Sequence, residues 1–146
     1  MRTCLAAIDF SAISPKVVEF GAYLATATRG TLTILHVLEM PPCRELGSDL
    51  VVHSNTMDPP DLQQIKERLD RIAAPLRSNG LNVETVVVIG EAPEEILKLA
   101  KSTDAMMIIL GSRGHGVISQ AFVGSVVTTV LNKAEISVTV VPVHEN

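Results

Sequence analysis

The sequence predicts an α/β fold: a doubly wound open sheet of parallel strands with helices on both faces. Three observations carry that prediction. Five segments are nearly continuous apolar runs, as strands covered on both faces should be. Helical patterns lie between them, and parallel neighbours need crossovers of about a dozen residues or more. The chain has 146 residues, enough to bury a core without disulfides or metal, so a single domain over 1–146 is expected.

The first strand is expected at 3–9 (TCLAAID) and leads into the polar pair Asp9 and Ser11. SPKVVEFGAYLATAT, 14–28, reads as a helix with Pro15 near its start and Gly30 just past its end. TLTILHVL, 31–38, is the second strand. Residues 39–60 hold Pro41, Pro42, Gly47, Pro59 and Pro60 with no sustained period, and are expected to form a mobile loop or lid over the sheet edge. In 61–80, Leu62, Ile65, Leu69, Ile72 and Leu76 recur at spacings of three and four. Gly80 stops that helix, and Pro75 is expected to kink it or end it early. NVETVVVIG, 82–90, is the third strand. APEEILKLAKS, 92–102, follows as a helix with Glu94 and Glu95 in its first turn and Lys98 and Lys101 toward its end, the polarity a helix dipole favours. DAMMIILG, 104–111, is the fourth strand. SVVTTVLNKA, 125–134, is a short helix with Val126, Val127, Val130 and Leu131 on one face, and ISVTVVPV, 136–143, is the last strand.

Composition excludes some classes of function. Net charge is −4 with Lys and Arg dispersed, which leaves no basic stripe for nucleic-acid phosphates, and no Trp, one Tyr and three Phe leave few rings for bases to stack on. No apolar run approaches the roughly 18 residues of a membrane span, and the start lacks a signal peptide's long apolar region. Two cysteines, Cys4 and Cys43, are too few for a disulfide framework. A reduced, cytoplasmic protein with neither nucleic-acid nor membrane partners is expected.

The candidate site begins where the fourth strand runs into GSRGHGVISQAFVGS, 111–125. In open α/β sheets ligands bind at the carboxyl ends of strands, where the strand order reverses. Gly111 and Gly114 admit positive φ and close backbone approach, so they can point successive N–H groups at one anion. Gly124 and Ser125 open the final helix, whose N-terminus offers unpaired N–H groups and about half a positive charge. Arg113 can add a charge-assisted contact to an outer phosphate. On these residues alone a second reading stays open, in which the glycines only form turns and Ser125 is an N-cap. Asp9 adds a second feature. In a sheet whose order reverses between strands one and four it neighbours Gly111 and can accept from an adenine amino group or a ribose hydroxyl. Ala7, Ile8, Val37 and Leu110 then wall an apolar slot; the alternative for Asp9 is a solvated acid at a strand end.

Gly111, two residues, Gly114, nine residues, Gly124 and Ser125 resemble the ATP-binding signature of the universal stress protein family. AAIDFS resembles that family's first-strand Asp-x-Ser, ILHV its second strand, GEAPEEILKLAKS its helix entry and ISVTVVP its last strand, so only 39–60 falls outside the likeness. The resemblance implies five parallel strands in the order 3-2-1-4-5 and a homodimer through the last strands, here Ser137 to Val143. It also implies ATP, with ADP or AMP as alternatives. Adenine would lie near Asp9 and Val37, ribose near Leu110 and Gly111, and phosphates on Gly114, Gly124, Ser125 and the Val126 N–H. Mg2+ or Mn2+ would be held by the phosphates. Ala7 departs from the Pro or Val of many relatives, which reshapes the adenine slot.

No GxxxxGK[ST] and no GxSxG occurs. His36, His53, His115 and His144 lack metal-ligand spacing, so no protein metal ligand is assigned. His36 and Cys4 read as core residues, and Cys43 has no activating neighbour. The leading expectation is an ATP-binding stress-response module, a nucleotide-dependent switch read by an unidentified protein partner, with no catalytic residue. The alternatives are a slow ATPase or phosphotransferase using Arg113 and His115, and a structural stress dimer with a vestigial pocket.

Overall fold

The structure is a computed structural model and describes residues 1–39, 59–113 and 123–143. Strands β1 (Thr3–Ala7), β2 (Thr31–Leu38), β3 (Asn82–Ile89), β4 (Ala105–Gly111) and β5 (Ser137–Val141) form one parallel sheet in the order β3-β2-β1-β4-β5. Helices α1 (Ser14–Thr28), α2 (Pro59–Ser78), α3 (Ala92–Ser102) and α4 (Ser125–Lys133) make the crossovers. This is the expected class and strand order.

Strand alternation sorts the core into two layers. Cys4, Ala6 and Ile8 of the β1 segment, Leu32 and Ile34 of β2 and Ile109 of β4 pack with Val17, Val18 and Ala25 of α1 and Leu69 and Ala73 of α2. Leu5, Leu35, Ile108 and Leu110 point the other way, onto Ile96 and Ala100 of α3 and Val127 and Val130 of α4. Right-handed crossovers require this division: the chain winds outward from β1 to β3, returns to β4, and winds outward again on the opposite face. Each fully buried Leu or Ile contributes about 1.5–3 kcal/mol, so these two layers set the register of the central strands.

Several boundaries differ from expectation for local reasons. β1 ends at Ala7 rather than Asp9, and Phe10 turns at φ 60. β5 ends at Val141, next to Pro142, which has no N–H for a ladder. Pro75 does not end α2, which continues to Ser78; the ring is exposed and the last turn closes through Leu81 N–H to Leu76 O at 3.1 Å. The helix begins at Pro59, so the end of the expected loop belongs to α2, where proline suits a first turn. The rest of that loop, 40–58, with Cys43 and His53, lies outside the described residues, as does His144. Leu131, expected on the buried face of α4, is exposed.

Candidate functional site

At the carboxyl end of the sheet β1 parts from its neighbours. Its last rung with β2 is Ile8 N–H to Leu35 O at 2.9 Å, whereas β4 stays paired with β5 as far as Gly111 opposite Val141. The parting opens a cleft of about 480 Å3, within the roughly 300–1,000 Å3 of small-molecule sites. From the β1 segment Ala7, Ile8 and Asp9 line it, and from β2 Val37. Leu110, Gly111 and Arg113 reach it from the end of β4, and Gly124, Ser125 and Val126 from the start of α4. The sequence expectation is thereby brought together in one place, except Gly114, which with His115 lies outside the described residues.

Ser112 fixes the two ends of the glycine segment. Its N–H donates to Val141 O at 2.8 Å, its carbonyl accepts the Gly124 N–H at 2.9 Å and its hydroxyl accepts the Val143 N–H at 2.9 Å. The start of α4 is thus clamped beside the end of β4. The Gly124 N–H is thereby committed to Ser112, and Gly124 presents no side chain to the cleft. Gly124 has φ −60 and ψ 156, open to any residue, and a Cβ there would come no closer than 3.7 Å to Ser112 O. Among the described residues nothing closer than 3.7 Å demands glycine at this position.

Gly111 is explained differently from expectation. It has no positive φ, and a Cβ there would stand 2.5 Å from Ile13 Cγ2, so the bare backbone is needed for packing against Ile13. Ser125 is the first residue of α4 rather than its cap; the N-cap is Gly124, which has no side chain to cap with.

Three helices begin at the cleft, placing Ser14, Ala92 and Ser125 on it. Each start carries partial positive charge and N–H groups without intrahelical partners. Two are met by carboxylates. Asp9 Oδ1 accepts the Ser11 N–H at 2.9 Å and the Ser14 hydroxyl at 3.4 Å, standing at the entry to α1. Glu39 Oε1 accepts the Ala92 N–H at 3.2 Å, at the first residue of α3. α4, like α1, has no acidic residue in its first turn and no hydrogen bond from its N-cap side chain; unlike α1 and α3, it has no carboxylate bonded at its start among the described residues.

Sequence reasoning missed Ile13, Ser14, His36, Glu39 and Ala92 as lining residues. His36 is half-buried rather than sealed in the core. Its Nδ1 lies 2.8 Å from Ile8 O, and its ring centroid is 4.5 Å from that of Phe10. The Arg68 guanidinium covers Phe10 at 4.1 Å from the ring centroid. The polar terminus of a strand was the available signal for Glu39, and the Ser-Pro helix start was the signal for Ser14. Cys4 is a core residue as expected: burial pushes its thiol pKa up, a Thr28 hydrogen bond opposes the shift in part, and the group stays protonated at neutral pH.

A family model of the universal stress proteins matches residues 1–142. The chain belongs to the universal stress protein family. Among universal stress proteins, YxiE of Bacillus subtilis is 28% identical over 138 residues, covering 84% of this chain and 86% of that protein. MJ0577 of Methanocaldococcus jannaschii is 32% identical over 79 residues, 54% of this chain and 49% of that protein, so the matched part spans about half of that relative. In structure the MJ0577 protein is similar throughout, with a TM-score of 0.77 at 25% identity over 99% of this chain and 98% of that one. A universal stress protein from Archaeoglobus fulgidus in complex with dAMP shares the fold at a TM-score of 0.68 and 24% identity, over 96% of each chain. A universal stress protein in complex with cAMP does so at 0.71 and 20% identity, over 97% of this chain and 96% of that one.

Proposed function

We propose that this universal stress protein binds an adenine nucleotide, ATP with its divalent cation, in the cleft at the carboxyl end of the sheet, and that it acts as a nucleotide-dependent regulatory module. The observation that carries the reading is the contrast among the three helix starts. Asp9 and Glu39 occupy the approaches to α1 and α3, and the start of α4 faces the cleft with a residue that has no side chain. A phosphate chain is the anion that suits such a position. Ser125 and the Val126 N–H then hold it, with Arg113 toward the outer phosphates; a role for Gly114 as a further backbone donor rests on the family resemblance.

The base end follows from strand geometry. Successive residues of a parallel strand turn their peptide groups to opposite neighbours. Leu35 O bonds Ile8 N–H on the β1 side, so the Val37 N–H and C=O turn to that side too, where β1 has left the ladder. Adenine offers an acceptor, N1, beside a donor, its amino group, the complement of such a peptide edge. Guanine reverses both. Ala7, Ile8 and Leu110 supply the apolar walls and Asp9 an acceptor for ribose hydroxyls, with Gly111 alongside. The complexes of two similarly folded relatives with dAMP and cAMP support an adenine ligand.

Among the described residues no group of three or more His, Cys, Asp or Glu is placed to hold a metal ion. We therefore assign Mg2+ or Mn2+ to the phosphates themselves, with water completing its shell. The regulatory reading rests on a ligand that touches β1, β2, β4 and α4 together and so favours one arrangement of them. Its output would pass to a second copy paired along the edge strand, Ser137 to Val143, and to a protein partner. β5 is an edge of the sheet, which leaves backbone groups available for pairing.

The test is to denature freshly purified protein, identify released molecules by chromatography and mass, and titrate nucleotide-free protein with Mg·ATP, Mg·ADP and Mg·AMP. Retained or tightly bound adenine nucleotide is the expected result, and no binding of any of the three overturns the reading. ATP converted to ADP, with conversion lost when Arg113 and His115 are replaced, would instead assign slow hydrolysis.

A further inference from the structure

We propose that His36 is a specificity-determining positioning residue for the base: its ring N–H holds the Ile8 carbonyl and keeps the Val37 peptide edge open to adenine. The inference rests on the nucleotide reading above.

Ile8 is the last residue of the β1 segment to bond β2, through Ile8 N–H to Leu35 O. In a ladder that continued, the Ile8 carbonyl would take the Val37 N–H and the strands would stay closed. Here that carbonyl lies 2.8 Å from His36 Nδ1. A carbonyl only accepts, so Nδ1 carries the proton and donates. The ring is kept in place by a second contact, the Phe10 ring tilted 41° against it, and Phe10 is covered in turn by Arg68. Phe10 sits at φ 60, a left-handed conformation that a bulky residue adopts only where its surroundings hold it. Carbonyl, aromatic ring and guanidinium thus form one assembly at the point where β1 turns out of the sheet. Asp9, between Ile8 and Phe10, takes its place at the entry to α1 as part of the same turn. A histidine that only tied two strands together would have no stake in which base is bound. One that keeps the Val37 edge open acts on the contact that tells adenine from other bases.

The experiment uses the full chain, freed of nucleotide, and compares His36→Leu, His36→Asn and His36→Gln with the unaltered protein. An Asn amide N–H falls near the position of Nδ1, and a Gln amide near that of Nε2. Affinities for Mg·ATP and Mg·ITP are read by calorimetry, because inosine keeps the sugar and phosphates and alters only the base edge; circular dichroism melting reads the fold. His36→Leu is expected to lose about tenfold or more in Mg·ATP affinity with Mg·ITP little changed, so the preference for adenine collapses. His36→Asn should keep the preference and His36→Gln should lose it. That pair decides the matter if the leucine variant fails to fold. Unaltered protein that binds neither nucleotide would defeat the nucleotide reading itself. If it binds Mg·ATP and the variants keep its adenine preference, or lose both nucleotides equally, the role assigned to His36 is overturned.

Discussion

The cleft at the amino ends of β2 and β3 measures about 680 Å3 and that at the carboxyl ends of β1, β2 and β4 about 480 Å3, and they differ most in what the helices present to them. Helix carboxyl termini reach the larger one and close on themselves. Arg29 turns at φ 52 and Gly30 N–H bonds Ala25 O at 2.8 Å, while Gly80 turns at φ 87 and Leu81 N–H bonds Leu76 O at 3.1 Å. The side chains there are paired as well, Asn82 Nδ2 donating to Thr31 Oγ1 at 2.9 Å. Helix amino termini reach the smaller one, and among the described residues no carboxylate bonds the start of α4. In a parallel α/β sheet the direction of the crossovers gathers helix starts at one end, so in the proposed reading chemistry outranks volume in choosing between the two clefts.

The largest effect that tests this contrast is expected at Gly124. Gly124→Val meets no backbone strain at φ −60 and, among the described residues, no neighbour closer than 3.7 Å to its Cβ, so the melting temperature should be unchanged. Its γ carbons would fill the approach to α4, and Mg·ATP affinity should fall by about 100-fold or more on calorimetric titration, the loss of most phosphate contacts. Undiminished affinity would move the phosphates off α4 and remove the basis of the comparison. Asp9→Ala comes next. It strands the Ser11 N–H and Ser14 hydroxyl, with an expected cost of about 1–3 kcal/mol in chemical denaturation, and it lowers Mg·ATP affinity by about tenfold.

Much of the fold was legible in sequence because parallel strands buried on both faces are apolar throughout, and because proline and glycine mark helix ends. α1 and α3 fall at Ser14–Thr28 and Ala92–Ser102, where Pro15 with Gly30, and Pro93 with its acidic neighbours, placed them. The strand order came from family resemblance, since periodicity says nothing about which strands are neighbours. The site was legible where its residues stand at strand ends or in the glycine segment. It was not legible where contacts join elements distant in the chain: Glu39 on Ala92, His36 on Ile8 O and Ser112 on Val143 depend on register, and no local pattern announces register. Gly111 shows the same limit, because its glycine answers to Ile13 on another element.

At the opposite end of the sheet, Gly80→Ala separates stability from binding. Among the described residues no atom beyond the chain neighbours lies within 4 Å of the added Cβ, so the substitution acts through φ 87, at a cost of about 1–2 kcal/mol for a left-handed residue. Melting should shift down with Mg·ATP affinity unchanged. Affinity that fell in step with stability would show the two ends to be coupled, and the contrast between them would need a conformational account.

The smallest effect belongs to Arg68. Its guanidinium covers Phe10 from the exposed side of α2, where a cation–π contact is worth about 0.5–1 kcal/mol. Arg68→Ala leaves the His36 ring bonded to Ile8 O and in contact with Phe10, so only the outermost layer of the assembly is lost. Affinity for Mg·ATP should change by less than about threefold, below the loss expected for His36→Leu. A change as large as that of His36→Leu would mean that Phe10 holds its place only under Arg68, and that α2, through this one side chain, sets the width of the cleft.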